Sequence, residues 1–143
     1  QDTRDLAASL ARLARPGDVI ALEGDLGVGK TVFARAFVTA LGGGEEVPSP
    51  TFTLVQSYDS ASGPIHHFDL YRLTSPEDTF ELGLEELLPD GISLIEWPGC
   101  LGPYMPKDHL TIRMIENSTT LRFIEAVGAG DWGHRLDDLK ELF

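Results

Sequence analysis

The apolar residues of this chain fall into short runs whose spacing changes from helical to strand-like and back. Near the start, three leucines recur at i, i+4 and i+7 and predict an amphipathic helix over residues 3–14. A compact apolar run at 18–23 predicts a buried strand. The apolar positions after residue 30 then return to helical spacing until the glycines at 42–44. The first part of the chain is therefore predicted to be helix, strand and helix.

The middle of the chain alternates between strand-like and turn-forming segments. β-Branched and aromatic residues predict strands at 51–58 and 65–72, which we expect to pair as an antiparallel hairpin. Ser75 is a good N-cap residue and is followed by proline and two acids, so a helix is predicted over 75–88, ending at Pro89.

The last part predicts a second strand-rich region. A short buried strand is expected at 91–97, followed by a loop rich in glycine and proline. Alternating polar and apolar residues around 110–114 and 121–123 predict a meander of half-exposed strands, and a mostly polar helix is expected from 131 to the end.

Composition narrows the class of protein. With 143 residues and 42% hydrophobic residues the chain can form one compact core, and it shows neither an apolar run long enough to span a bilayer nor a basic leader. Cys100 is the only cysteine, which excludes an internal disulfide and fits the cytoplasm. The formal net charge is −12 with three lysines, so tight direct binding of nucleic acid is not expected.

Candidate chemistry is concentrated between the first predicted strand and the helix after it. Residues 24–31 read GDLGVGKT and match G-x-x-x-x-G-K-[S/T], the phosphate-binding P-loop, in its strand–loop–helix context. Backbone N–H groups and the positive end of the helix would face the phosphates. Lys30 is expected to contact the β- and γ-phosphates, and the Thr31 hydroxyl to ligate Mg²⁺. The candidate nucleotide-binding residues are Asp25, Leu26, Gly27, Val28, Gly29, Lys30, Thr31 and Val32.

The predicted elements around this loop add up to a single α/β domain over residues 1–143. We expect a P-loop NTPase-like fold of three layers, built on a mixed parallel and antiparallel sheet.

Two acidic residues are candidates for the second half of the site, because Mg²⁺ prefers near-octahedral oxygen coordination. Glu96 ends the apolar strand at 91–97, and we assign it to the metal, directly or through a water. A strand-end carboxylate that caps a loop or pairs with an arginine is the alternative. Asp69 lies in the other candidate strand and could hold a metal-bound water, orient the attacking water or hold a mobile loop.

A third candidate lies about twenty residues after Lys30, in Ser49-Pro50-Thr51-Phe52. A loop there could reach the γ-phosphate, as switch segments do, with Thr51 as the sensing hydroxyl. A plain loop-to-strand junction is equally compatible with the residues. His66 and His67 are adjacent in a predicted strand and should face opposite sides, so they are poor joint ligands for zinc.

Four segments together resemble the TsaE (YjeE) family of small bacterial ATPases. They are GDLGVGKT at 24–31, SPTFTL at 49–54, HFDLYR at 67–72 and EWP at 96–98. Only the first is diagnostic alone, but the segments occur in the family's order and at its spacings.

The resemblance implies an ATPase with Mg²⁺ held at Thr31 and Glu96 and with Asp69 in the site. It implies slow ATP hydrolysis alone and action with TsaB and TsaD, the pair that transfers threonylcarbamoyl to adenosine 37 of tRNA. We expect the partners to stimulate hydrolysis. Val32 departs from the family, which often has a second threonine there, and the change should lower nucleotide affinity.

Other functions are open to the same residues. A small-molecule kinase of the P-loop fold would need an arginine-bearing lid, for which no segment has the composition. A GTPase would need an Asn-Lys-x-Asp motif, but the only asparagine, Asn117, is followed by Ser-Thr-Thr. The residues do not separate an energy-using ATPase from a nucleotide-loaded assembly factor whose hydrolysis is incidental.

Overall fold

The computed structural model describes residues 2–24, 30–42, 55–60, 63–71, 73, 75–116 and 122–140. Within them no helix is both long and apolar enough to cross a membrane. Regular elements occupy most of the described chain. In chain order they are α1 (Asp2–Leu13), β1 (Val19–Glu23), α2 (Lys30–Ala40), β2 (Val55–Tyr58), β3 (Ile65–Asp69), a 3₁₀ segment (Pro76–Leu82), α3 (Leu84–Asp90), β4 (Ile92–Glu96), a second 3₁₀ segment (Pro98–Tyr104), β5 (His109–Glu116), β6 (Arg122–Ala129) and α4 (Asp131–Lys140).

The strands form one six-stranded sheet in the order β2-β3-β4-β1-β5-β6. The inner strands β3, β4, β1 and β5 are parallel, and β2 and β6 pair antiparallel at the two sides. The predicted mixed α/β sheet is confirmed. Because parallel strands end at one edge of the sheet, the residues at the ends of β1, β3 and β4 come together there.

Helices and short segments cover the sheet on both faces. Consecutive residues of β4 show this, since Leu94 packs in one apolar cluster and Ile95 in the other. The first cluster joins the sheet to α1, α2 and α4, with Leu10, Phe37 and Trp132 fully or almost fully buried. The second cluster lies under α3 and the second 3₁₀ segment. The result is a three-layer arrangement with a continuous core on each side of the sheet.

The hairpin β2–β3 and the meander β5–β6 are both antiparallel, as predicted. The predicted single helix over 75–88 is wrong. The chain forms a 3₁₀ segment and then α3, because Gly83 adopts a left-handed φ of +75° that breaks the helix between them. The loop predicted after residue 97 contains the second 3₁₀ segment, and the predicted strand residues 51–54 lie outside the described residues.

A largely buried ion pair connects elements at the opposite, amino-terminal edge of the sheet. The Arg135 guanidinium of α4 binds both carboxylate oxygens of Asp18, which precedes β1, at 2.5 and 3.1 Å. Arg135 also donates to Asp131 at 2.7 Å and to the carbonyl of Leu13 at 3.2 Å. Hydrogen bonding to Asp18, opposed by burial, raises the pKa of Arg135. The bidentate pair thus ties α4 to both α1 and β1.

Candidate nucleotide-binding site

The site begins where β1 leaves the carboxyl edge of the sheet. Gly24 follows β1 with a φ of +147°, a conformation that side chains disfavour, and α2 starts at Lys30. Lys30 is only 4% exposed, and its Nζ donates a hydrogen bond to the Gly24 carbonyl at 2.8 Å. A buried ammonium therefore lies at the start of a helix, directly after the glycine-rich segment.

An aromatic ring lies over this ammonium. The Lys30 Nζ is 3.7 Å from the centre of the Trp97 ring, within cation–π range, and the Tyr71 ring packs against Trp97 with centroids 4.8 Å apart. Trp97 has a left-handed φ of +61°, the one positive φ of a non-glycine residue in the described chain. Such a backbone costs about 1–2 kcal/mol and persists where the surroundings impose it. The strained turn after β4 holds the ring over Lys30.

Two carboxylates end neighbouring strands of the same edge. Asp69 of β3 and Glu96 of β4 are register partners in the parallel ladder, so their side chains leave the same face of the sheet. They are 7% and 5% exposed. An Asp69 oxygen accepts the Tyr71 backbone N–H at 3.1 Å. Because like charges this close repel in a weakly solvated site, a cation at this edge would be favourable.

A histidine orients one of these carboxylates. His67 is fully buried, and its Nε2 lies 2.7 Å from Glu96 Oε2. Its Nδ1 has no hydrogen-bond partner among the described residues. A hydrogen on Nδ1 would be a buried unpaired donor, so the geometry assigns the ring hydrogen to Nε2, which donates to Glu96. From the sequence, His67 was predicted only to be a poor joint ligand for zinc with His66, and its contact with Glu96 was not predicted. Its place two residues before Asp69, on the same strand face, was the available signal for this role.

These groups fit a magnesium ion. Glu96 and Asp69 supply hard oxygen donors, and the His67 hydrogen bond holds Glu96 in one orientation, as outer contacts do for ligating carboxylates. Within the described part of the chain no three His, Cys, Asp or Glu side chains converge as a metal cage. Mg²⁺ does not need one, because it keeps several waters and binds through one or two carboxylates and the substrate phosphates.

The structure brings together Lys30, Asp69 and Glu96 from the predicted set, at the carboxyl edge beside Trp97. Val32 lies on α2 and is 36% exposed. The remaining predicted residues lie outside what the structure describes: Asp25, Leu26, Gly27, Val28, Gly29, Thr51 and the side chain of Thr31.

The adjacent histidines face opposite sides, as predicted. His66 lies between Ser57 and Asp90, with Nδ1 2.8 Å from the serine hydroxyl and Nε2 3.1 Å from the carboxylate. This chain of hydrogen bonds connects the hairpin to the end of α3. It does not include His67 or Glu96.

The thiol of Cys100, the single cysteine, is affected by a charge at the same edge of the sheet. Burial, together with the negative charge of Asp69, raises the pKa of the Cys100 thiol. The electrostatic effect of Asp69 therefore reaches the segment after Trp97.

Comparison with known proteins decides the family. The family model described as "Threonylcarbamoyl adenosine biosynthesis protein TsaE" matches residues 1–124. The chain belongs to the TsaE family. The resemblance drawn from the four sequence segments is thereby confirmed.

Individual relatives agree with the family match. The TsaE protein of Rickettsia felis is 46% identical over 98 residues, which cover 68% of this chain and 57% of that protein. The TsaE protein of Bacillus subtilis is 39% identical over 113 residues, covering 78% and 70%. The crystal structure of Bacillus subtilis YdiB superposes with a TM-score of 0.78 at 32% identity, covering 96% of this chain and 85% of that one. The alignment thus spans a little more than half of the Rickettsia felis protein.

Proposed function

We propose that this chain is a Mg²⁺-dependent ATPase, slow on its own, that acts with TsaB and TsaD in the threonylcarbamoyladenosine modification of tRNA. Its work would take place in the cytoplasm. The observation that carries the proposal is the buried Lys30 ammonium at the start of α2, at the same sheet edge as the register pair Asp69 and Glu96. A cation for phosphate and carboxylates for a metal are the two halves that a P-loop site needs.

Each residue has a distinct part in the proposed reaction. Lys30 would bind the β- and γ-phosphate oxygens of ATP, and Trp97 would keep its ammonium at the edge. Glu96, oriented by His67, and Thr31 would hold Mg²⁺, and Asp69 would orient the attacking water or a metal-bound one. When bound, Mg²⁺ would neutralise negative charge on the phosphates. Product ADP would stay in the same cradle until it dissociates.

The first experiment tests nucleotide binding. Titration calorimetry should show that Lys30→Ala abolishes ATP binding, because the buried cation that offsets the phosphate charge is gone. Lys107→Ala removes an exposed lysine and serves as the control with the same change in net charge. Equal ATP affinity in the wild type and both variants would contradict the proposal.

Partner dependence is the second part of the proposal. Efficient phosphoryl transfer uses an additional arginine or equivalent, worth about 10³–10⁵ in rate, which a partner can supply in trans. The net charge of −12 favours a protein partner over a direct grip on tRNA. ATP hydrolysis should rise strongly when TsaB and TsaD are both added. An unchanged rate, with no co-elution under any nucleotide condition, would argue against this partnership.

One variant can distinguish an energy-using ATPase from a nucleotide-loaded assembly factor whose hydrolysis is incidental. Asp69→Asn is isosteric and should still bind ATP while hydrolysing it more slowly. If reconstituted tRNA modification continues at the wild-type rate with this variant, hydrolysis is incidental and nucleotide binding alone is the function.

A further inference from the structure

Two exposed aromatic side chains form a pair outside the candidate nucleotide site. Phe80 and Tyr104 are 44% and 37% exposed, and their rings meet edge to face with centroids 4.8 Å apart. They belong to the two 3₁₀ segments, which pack on each other, and the second segment contributes Leu101 to the second apolar cluster. Tyrosine is among the residue types enriched at the energetic centres of protein interfaces, and a neighbouring exposed aromatic ring adds apolar contact area.

The framework under the rings is preorganised. The Asp78 carboxylate accepts the Ser75 backbone N–H at 3.3 Å, and the fully buried Thr79 hydroxyl donates to the Pro76 carbonyl at 2.7 Å. The second segment fits closely against the first, since a Cβ added to Gly102 would lie 3.0 Å from Pro76 Cγ. A partner that binds here would lose little free energy in ordering the surface.

Two carboxylates act on Tyr104. It donates its hydroxyl hydrogen to Glu77 at 3.2 Å, and the charge of Glu85, which is exposed at the start of α3, also acts on it. Desolvation, the hydrogen bond to Glu77 and the charges of Glu77 and Glu85 raise the pKa of Tyr104. The matching ligand is cationic and planar: an arginine stacks on aromatic faces and binds carboxylates with the same guanidinium.

We propose that the Phe80–Tyr104 pair and its carboxylate rim are a docking surface for a protein partner that inserts an arginine flanked by apolar side chains. This chain carries a formal net charge of −12, so charge complementarity favours a partner with a basic surface over one with an acidic or neutral surface. This inference rests on the partner-dependent function proposed above, and it adds the surface of this chain to which the partner binds. The segment that carries Tyr104 begins directly after Trp97, whose ring contacts Lys30, so docking acts on the segment next to the nucleotide site.

The first test measures affinity for the purified TsaB–TsaD pair by calorimetry with saturating ATP. Phe80→Ala and Tyr104→Ala should each weaken binding at least about tenfold, as removal of an interface centre does. Val127→Ala, at a residue 48% exposed on β6, should leave affinity unchanged. Tyr104→Phe keeps the ring and should retain most of the affinity. Unchanged melting temperatures and ATP affinities show that the variants are folded. If both alanine variants bind TsaB–TsaD with wild-type affinity, the Phe80–Tyr104 pair is not the docking surface, and the proposed function is unaffected.

The second test does not depend on those partners. A capped hexapeptide of alternating leucine and arginine should shift the ring NMR signals of Phe80 and Tyr104, and the matched leucine–glutamate hexapeptide should not. Shifts with both peptides or with neither overturn the arginine recognition. A concentration-dependent dimer that Phe80→Ala abolishes would overturn the proposal in favour of a second copy of the chain. Arginine-peptide shifts without TsaB–TsaD binding support the surface and reject the proposed partners.

Discussion

The two edges of the sheet bury charged groups in opposite ways. At the amino edge, Arg135 and Asp18 satisfy each other, and both ring nitrogens of His66 have partners. At the carboxyl edge, Asp69 and Glu96 place two carboxylates side by side in register. Breaking the opposite-charge pair would leave a largely buried charge uncompensated, whereas two like charges held in register favour a cation from outside, although His67 and the Tyr71 N–H each contact one of the two carboxylates. The first edge should therefore control stability and the second should control binding.

The largest expected effect is on the amino edge. Arg135→Ala removes the charged partner of the largely buried Asp18 carboxylate, which keeps only the Arg15 N–H among its described partners, and should lower the free energy of unfolding by about 3 kcal/mol, measured by urea denaturation. At temperatures where the variant is folded, its ATP affinity should equal that of the wild type.

A matched change uses the same ion pair. The double variant Arg135→Met with Asp18→Leu removes both charges and should recover much of the lost stability, because no uncompensated charge is left buried. If the double variant is no more stable than Arg135→Ala, then packing of the arginine, not its charge, explains the loss.

At the carboxyl edge, Glu96→Gln should separate binding from stability. Loss of the carboxylate charge should weaken Mg²⁺ binding by about 100-fold, the upper range seen even for outer contacts of metal sites. The readout is the Mg²⁺ concentration needed for half-maximal ATP hydrolysis, with ATP affinity in EDTA as the reference. The melting temperature should change little or rise, since repulsion from Asp69 is relieved. Equal losses of Mg²⁺-free and Mg²⁺-dependent binding would mean that Glu96 only supports the fold.

The two tryptophans report on the two edges. The Trp97 ring lies over the Lys30 ammonium. Trp132 is buried, and the centre of its ring is 4.5 Å from the Arg135 guanidinium carbon. ATP should change the emission of Trp132→Phe, which retains Trp97, because phosphate neutralises the ammonium under that ring. Trp97→Phe, which retains Trp132, should show little change. Similar responses in both variants would indicate a rearrangement of the whole domain.

The smallest expected effect is a change in the alkylation rate of the Cys100 thiol. Burial and the charge of Asp69 raise its pKa, so its thiolate fraction at a given pH is low. Asp69→Asn removes the charge and should lower that pKa, which increases the thiolate fraction and speeds alkylation by iodoacetamide at pH 8. Asp90→Asn, at the opposite edge, should leave the alkylation rate unchanged. Equal rates in all three proteins would place Asp69 too far from the thiol to act.

The sequence predicted the parts of the molecule that depend on local patterns. The mixed sheet, Lys30 at a helix start and Glu96 at a strand end follow from apolar periodicity and one glycine motif. Asp69 was expected inside a strand over 65–72, whereas β3 ends at Asp69. The break at Gly83 was missed because the capping signal at Ser75 is equally compatible with a long helix. Contacts that join distant segments could not be derived from spacing. They include the Trp97 ring over Lys30, the His67–Glu96 hydrogen bond and the Arg135–Asp18 pair.

The alternation of His66 and His67 has a consequence for how the chain can vary. Side chains of a strand change face at every residue, so a one-residue insertion between Ile65 and His66 that shifts the rest of β3 would exchange the environments of the two histidines and turn Asp69 away from Glu96. Both hydrogen-bonded chains would be lost in one event. Natural length differences among related sequences should therefore accumulate in the connection before β3 and leave the strand itself at constant length.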